Sequence, residues 1–558
     1  MKRILFFLFI SLFLLPANAE KWQKKAKQAQ VSVISYDAEN NMKESQGFFV
    51  DEKGSVLTDY DIMKGSVKAV IVTTKGTEYP VERILGGNSM YNVAKLGIQL
   101  GEKDKCAYLT PAASTPQAQE TVFILPSAKA DKSVPCTKDT IIQDNTFNEK
   151  YHYYTLSNLQ NERLNSCPVL NEKGELIGMV QPTSSGGKNS YIIDALYGIE
   201  MKIGAKDAGN NDLKAIGIRK ALPDTEEEAT SFIYLMGSRD TAQFMSYVEE
   251  FISLYPKSTI GYTMKAETLI DNGKYDEAEA TYRQALSIPE VKADEIHFSW
   301  AKTLYNLNLK PGYTQHADWN MEKALSETDA AYAANPLPIY LSQQGSCLYA
   351  MKRYDEAYTK YMELAKTNLR TADVFLYAAQ CKQMTKADIN EILALQDSAV
   401  ACFAKPYPPS AANCLLIRGT TRVQAQKYRE AVADYNEYEH LVSGRVTPNF
   451  YYEREQIEMK CRMFPNALND IERAVRMAPR EPVFRAEEAA VNYRVGQVDE
   501  AITAAEAAIK LDEKFPDAYR ILGVCYNSKG DKEKARMNLQ KAVELGDTMA
   551  QGILDKMK

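Results

Sequence analysis

In the stretch Asn165, Ser166, Cys167, Pro168 a hydroxyl and a thiol stand side by side, and either could act as a nucleophile if a base lay within reach. A serine needs a group of near-neutral pKa to take its proton, and a cysteine needs a neighbouring imidazole or cation to become a thiolate. Of the four histidines only His152 falls in the first two hundred residues, between Tyr151 and Tyr153. Neither nucleophile has an evident base, so both are expected to be inert packing. Asp59 and Asp61 form a second candidate, because side chains two apart on extended backbone point the same way and paired carboxylates can move protons or hold a cation. Two carboxylates alone make a poor site, and a solvated loop is predicted there.

Nine cysteines are present: Cys106, Cys136, Cys167, Cys347, Cys381, Cys402, Cys414, Cys461 and Cys525. An odd number cannot all pair internally, and none forms a CxxC pair. The pattern implies no zinc site, no other metal, no cofactor and no disulfide framework, although Cys106 and Cys136 could form one bridge in an oxidising compartment.

These residues need a framework, and alternation supplies one. Between Gln30 and Ile203 short apolar alternating runs at 31–36, 47–50, 56–58, 69–73, 122–125, 153–156 and 176–180 read as strands. Turn signals separate them, notably Asp51, Glu52, Lys53, Gly54 and, much later, Asn171, Glu172, Lys173, Gly174. An antiparallel barrel domain is predicted.

Three stretches in that region resemble, in order, the HtrA-type branch of the trypsin-like serine proteases. Gly47 to Met63 is similar to the family's "GSGFVID-DGYILTNNHVV", with Asp61 in the place of the catalytic His. Ile84 to Leu96 is similar to "D-DLAVLKI", with Asn92 in the place of the Asp. Asn165 to Gly178 is similar to "SGGPLVN-NGELIG", and counting back from Pro168 puts Asn165 in the place of the nucleophile. The resemblance implies a trypsin-like double barrel whose triad positions Asp61, Asn92 and Asn165 cannot carry the chemistry. A carboxylate in its ordinary range is a poor acceptor for a serine proton, and an amide offers no nucleophile. Ser166 and Cys167 replace the paired glycines of the family, which leaves the oxyanion turn in question. A one-residue gap would bring Ser166 to the nucleophile place, so an active serine or cysteine endopeptidase with a non-standard site stands as the alternative.

From about Ala215 alternation stops and Ala, Glu, Tyr and Lys recur at helical spacing. Tyr519, Leu522, Gly523, Tyr526, Gly530, Ala535, Leu539 and Ala542 have the offsets of a tetratricopeptide (TPR) repeat, which this stretch resembles. The second half of the signature recurs from Phe244, Ala324, Ala394, Ala467 and Ala501, and a Gly-to-Ala step followed by Tyr recurs from Gly345 and Gly419. About nine units follow, with stretched connections expected after Leu304 and around 384–390. The resemblance implies an all-α superhelix whose concave face, lined by Tyr452, Gln456, Tyr493, Arg494, Arg520 and Asn527, binds a protein or peptide.

At the start of the chain, Lys2 and Arg3, an apolar run from Ile4 to Leu15 and Ala17-Asn18-Ala19 read as a secretory signal with cleavage after Ala19. No later apolar run is long enough to span a membrane. The net charge of −6 disfavours a nucleic-acid partner. The expected organisation is therefore a signal at 1–19, a trypsin-like domain at 20–203, a linker at 204–224 and the TPR array at 225–558. The expected product is a soluble periplasmic or secreted protein, with a non-catalytic interaction scaffold as the leading reading. A purely architectural array within an envelope assembly is a further one.

Overall fold

The computed structural model describes residues 17–101, 104–127, 135–159, 161–182, 189–236 and 241–557. The signal run lies almost entirely outside the described residues. The chain divides into two compact units between Val291 and Lys292.

The first unit contains two closed antiparallel barrels. The first comprises β1 (Gln30–Tyr36), β2 (Met42–Phe49), β3 (Ser55–Thr58), β4 (Lys68–Thr73), β5 (Glu78–Asn88) and β6 (Val93–Ile98). The second comprises β7 (Thr121–Ile124), β8 (Thr137–Phe147), β9 (Tyr151–Leu159), β10 (Pro168–Leu170), β11 (Leu176–Gln181) and β12 (Asn189–Asp194). The strand orders, β1-β2-β3-β6-β5-β4 and β10-β11-β12-β9-β8-β7, are one topology used twice, the double barrel of trypsin-like proteins.

The two expected turns are built alike. Asp51 Oδ1 accepts from the amides of Lys53 and Ser55, both at 2.9 Å, and Asn171 Oδ1 accepts from those of Lys173 and Glu175, also at 2.9 Å. Each turn thus folds on its own first side chain and sets the register of the hairpin it closes. Each barrel has its own core: Val33, Phe49, Val56, Ile71, Ile84 and Leu96 in one, Val122, Ile141, Tyr154, Val169, Val180 and Ile192 in the other. Phe48, Leu57, Val93, Leu125, Leu170 and Met179 pack between them. Burying a side chain of this size contributes about 1.5–3 kcal/mol. A helix that alternation did not reveal, Ala17–Ala29, adds Ala26 and Ala29 to that junction and sets Trp22 against Phe123, ring centroids 5.8 Å apart.

Residues 204–224, expected as a linker, contribute Ala208, Leu213, Ile216, Ile218 and Leu222 to the core of the first barrel. The same core continues into Phe232, Tyr247 and Phe251 of the helices Glu226–Met236 and Thr241–Leu254. The pair Thr259–Asp271 and Tyr275–Leu286 completes this unit.

The second unit contains seven further antiparallel helix pairs among the described residues: Ala293–Leu309 with Met321–Ala334, Pro338–Ala350 with Tyr354–Leu364, Ala372–Met384 with Ile389–Val400, Ala412–Gln424 with Tyr428–Leu441, Pro448–Lys460 with Phe464–Met477, Pro482–Arg494 with Val498–Leu511, and Pro516–Ser528 with Lys532–Glu544. Thr548–Lys556 closes it. The signature positions explain the pairing. A Cβ on Gly345 would lie 2.8 Å from the Tyr361 ring, one on Gly419 2.7 Å from the Tyr435 ring, and one on Gly523 2.7 Å from Leu539. The missing side chain is therefore the space that the partner helix fills. Ala357, Ala431 and Ala535 are fully buried for the same reason.

Between the helices of most pairs stands one residue in the left-handed region. It is glycine at Gly273, Gly496 and Gly530 but Lys352, Lys386, Gln426 and Arg462 elsewhere. Its neighbour closes the helix end, as where Arg353 N donates to Leu348 O at 2.9 Å and Lys352 N to Tyr349 O at 2.9 Å. The connection after Leu309 is long, as expected. The one at 384–390 is a correction: only four residues separate Met384 from Ile389, and the extended connection follows Val400 instead. Thr385 to Asp388 form the usual helix-end turn with one added residue.

Candidate functional site

The three family-like stretches meet where the barrels meet. Asn92 lies at the tight turn before β6 with φ of 43°, and its Oδ1 accepts from the backbone amide of Asp61 at 2.9 Å. Two of the places named from sequence, Asp61 and Asn92, are thus adjacent, though the bond runs to the Asp61 backbone. The Asp61 side chain is exposed, while Asn92 is 8 % exposed with Nδ2 buried and unpaired.

The polar centre of the junction is Asp59, which corrects the expectation of a solvated loop. Asp59 is buried, and its Oδ2 accepts from Ser166 Oγ at 2.8 Å and from Ser45 Oγ. Its Oδ1 accepts from the Ile62 amide at 3.1 Å, and the two hydroxyls stand 3.4 Å apart. Asp59 and Ser45 come from the first barrel and Ser166 from the approach to β10 in the second. A carboxylate out of water requires such donors, so the bonds stabilise both its charge and the meeting of the barrels. Sequence reasoning missed Ser45 and the role of Asp59; the alternation of the 56–58 run, continued to 59, was the available signal.

Asn165 and Ser166 occupy a tight turn. Ser166 is 1 % exposed with φ of 61°, a conformation that suits the glycine of the family pattern. Its amide donates to Val180 O at 2.9 Å. A nucleophile at 165 would need its own amide and that of residue 163 to face a developing oxyanion. Here a short 3-10 turn, Glu162–Leu164, takes both inward: Asn165 N donates to Glu162 O at 3.2 Å and Arg163 N to Asn161 Oδ1 at 3.1 Å. Asn165 Oδ1 is buried without a partner.

Cys167 is fully buried, and burial pushes its thiol up to about 12. His152 is on β9, where Nδ1 is 2.8 Å from Asp144 on β8 and the ring stacks on Tyr154. All nine cysteines are free thiols, with Cys106 Sγ directed at Asp51 O. Among the described residues no cluster of His, Cys, Asp and Glu fits a metal ion.

The six array residues divide by environment. Arg494 and Asn527 are exposed near the ends of their helices. Tyr493 is half-buried, and Tyr452, also half-buried, packs on Phe484 with centroids 5.4 Å apart. Gln456 Nε2 donates to Glu455 Oε2 at 2.8 Å. Arg520 is committed internally: its Nε reaches Asp547 Oδ2 at 2.6 Å, and Asp547 caps the last helix through the amides of Met549 and Ala550. Sequence reasoning did not single out the carboxyls beneath this row. Glu455 is fully buried, and burial and the nearby Glu487 push its carboxyl up to about 9. Burial and the proximity of Asp470 push Glu458 up to about 8. Glu455 Oε1 and Glu458 Oε2 have no partner, whereas Arg454 holds Asp470 through two bonds of 2.6 and 2.9 Å.

Tetratricopeptide-repeat family models match residues 261–291 and 486–550, so the helical part carries TPR repeats. The small glutamine-rich tetratricopeptide repeat-containing protein 2 of Mycosarcoma maydis is 34 % identical over 87 residues, covering 16 % of this chain and 25 % of that protein. The chain thus matches a quarter of that relative's length. Among solved structures, YrrB, described as a TPR protein with an unusual peptide-binding site, is 23 % identical with a TM-score of 0.30, over 35 % of this chain and 97 % of its own. The HtrA-type protease AlgW with a tripeptide is 14 % identical with a TM-score of 0.27, over 33 % of this chain and 61 % of its own. No described helix is long and apolar enough to cross a membrane.

Proposed function

We propose that this protein is an exported, non-catalytic scaffold in which the TPR array holds a partner protein or peptide and the double barrel is a pseudoprotease. The single observation that carries this reading is the turn at 161–165. With Asn at 165 and the amides of Arg163 and Asn165 both donating to their own turn, neither a nucleophile nor a free pair of oxyanion donors is presented. The adjacent hydroxyl of Ser166 is buried against Asp59. TPR repeats are protein-interaction modules, and the exposed Arg494 and Asn527 with the half-buried Tyr452, Tyr493 and Gln456 offer the aromatic and polar mixture that interfaces favour. The net charge of −6 supports a protein rather than a nucleic-acid partner, and the apolar run from Ile4 to Leu15 supports export.

The test has two parts. Purified full-length protein is assayed on casein and a peptide ester; hydrolysis abolished by Ser166→Ala would overturn the non-catalytic reading. Partner capture from the native envelope then precedes affinity measurement with Arg494→Ala plus Asn527→Ala. Loss of affinity at unchanged helical circular dichroism is expected, and unchanged affinity would remove these residues from the interface.

The 2.8 Å bond between Ser166 and Asp59 favours one second reading, an endopeptidase in which Asp59 takes the Ser166 proton. Selective fluorophosphonate labelling of Ser166 in the native state would support it over the scaffold.

A further inference from the structure

The first unit contains a partly open cavity lined by residues far in sequence from the three family-like stretches. It has a volume of about 650 Å³, and its walls include Leu213, Ile216, Phe232, Phe244 and Tyr247. Leu235 also lines it and is 66 % exposed, so it stands at the opening. A void of this size and apolar character is within the range of small-molecule sites.

One feature of the lining is out of keeping with those walls. Lys220 is 8 % exposed, and its ammonium donates to Ile216 O on the same turn of chain. Among the described residues no carboxylate pairs with it, and burial alone lowers the amine to about 8. Its backbone is rigidly held: Lys220 N donates to Tyr247 Oη at 3.0 Å, and the flanking Arg219 O and Ala221 N bond to Ile84 N and O of β5 at 2.8 and 2.9 Å. The remaining charged groups of the lining are Lys206, Lys214 and Asp207. Asp207 is occupied by Gly204 N and Asn210 Nδ2, at 2.9 and 3.0 Å, and both lysines are exposed. The cavity therefore joins an apolar wall to positive charge that no carboxylate among the described residues neutralises.

We propose that this cavity binds a fatty monocarboxylate, its chain against Leu213, Phe232, Phe244 and Tyr247 and its carboxylate against the Lys220 ammonium. A buried ammonium costs free energy until a counter-charge joins it, and a carboxylate with an apolar tail supplies that charge while filling the void. An uncharged tail fills the void and leaves the ammonium unpaired. A dicarboxylate would bring a second charge into the apolar wall. Lys206 and Lys214 at the surface favour the approach of an anion.

The experiment is calorimetric titration of the full-length protein with decanoate, below its micelle concentration, and with decanol. Decanoate is expected to bind at least tenfold more tightly than decanol, and Lys220→Met to remove that difference while its thermal melt stays cooperative. Should Lys220→Met fail to fold, Leu235→Asp decides, because that residue is at the exposed rim: a carboxylate there is expected to weaken decanoate at least fivefold. Absence of decanoate binding overturns the assignment. So does equal binding of decanoate and decanol, or decanoate binding unchanged in a folded Lys220→Met protein or in Leu235→Asp.

Discussion

Ser166 Oγ is 2.8 Å from Asp59 Oδ2, a bond that spans 107 residues of sequence and ties one barrel to the other. With Ser45 on the same carboxylate oxygen, it adds a polar contact to a junction that otherwise packs apolar side chains such as Phe48, Leu57 and Leu170.

Removing this carboxylate takes the acceptor from the buried Ser166 hydroxyl and from the half-buried Ser45 hydroxyl. Asp59→Ala is expected to destabilise the first unit by about 2 kcal/mol or more, and Ser166→Ala by about 1 kcal/mol. Ser166→Gly should cost less than Ser166→Ala, since the left-handed backbone at 166 suits glycine by about 1 kcal/mol. Hydrogen exchange in Ser55–Thr58 and Pro168–Leu170 measures the order; equal losses in the two Ser166 variants would refute the backbone argument.

Thiol chemistry separates Cys167 from the surface. Iodoacetamide should alkylate the exposed Cys402 in the native protein and leave Cys167 unmodified until unfolding, because burial holds that thiol near 12. Peptide mass mapping reads the sites, and native modification of Cys167 would revive the cysteine endopeptidase.

The helix pairs predict an overpacking series. Gly345→Ala and Gly419→Ala each place a methyl within 2.8 Å of a tyrosine ring and should cost about 1–3 kcal/mol. Gly345→Ala combined with Tyr361→Leu should recover part of that loss. Helical circular dichroism melts test both.

The left-handed positions between helices predict the opposite sign. Lys352→Gly, Gln426→Gly and Arg462→Gly should each stabilise the array by about 0.5 kcal/mol, the relief at positive φ exceeding the entropy glycine adds to the unfolded chain. Lower midpoints in all three would refute this.

Glu455 and Glu458 give the array a pH dependence. Unfolded, each carboxyl titrates at about 4.5; in the fold they are pushed up to about 9 and about 8. Between those limits the folded chain keeps protons that the unfolded chain releases. Stability is therefore full below about pH 4.5 and falls as pH rises toward 9, by up to about 1.4 kcal/mol per pH unit for each group. Glu455→Gln should melt like the parent at pH 5 and at higher temperature at pH 9.

Much of this architecture was legible because it depends on local chemistry. The turns at Asp51 and Asn171 fold on their own side chains, and Gly345, Gly419 and Gly523 mark helix contacts at fixed offsets. β8 was not legible: beyond Ile141 it runs through exposed Gln143, Asp144 and Asn145, so its pairing with β9 leaves no alternation to read. β5 was hidden by Pro80, Gly86 and Gly87. At the barrel junction the family places Asp61, Asn92 and Asn165 could be counted along the chain. The bond from Asp59 to Ser166 could not, since a contact across 107 residues has no local signature. Likewise Glu455 reads as an ordinary surface charge until the neighbouring helices cover it.

The inward turn at 161–165 also bears on descent. Asp61→His, Asn92→Asp and Asn165→Ser would put the family's three side chains at these places and still leave the amides of Arg163 and Asn165 bonded to their own turn. On the scaffold reading no single one of these changes then yields hydrolysis for selection to act on, and even the three together meet a backbone that must first be rebuilt. The main chain acts as a ratchet: on the scaffold reading, a lineage carrying this turn is free to vary its former catalytic side chains but has no gradual route back to catalysis.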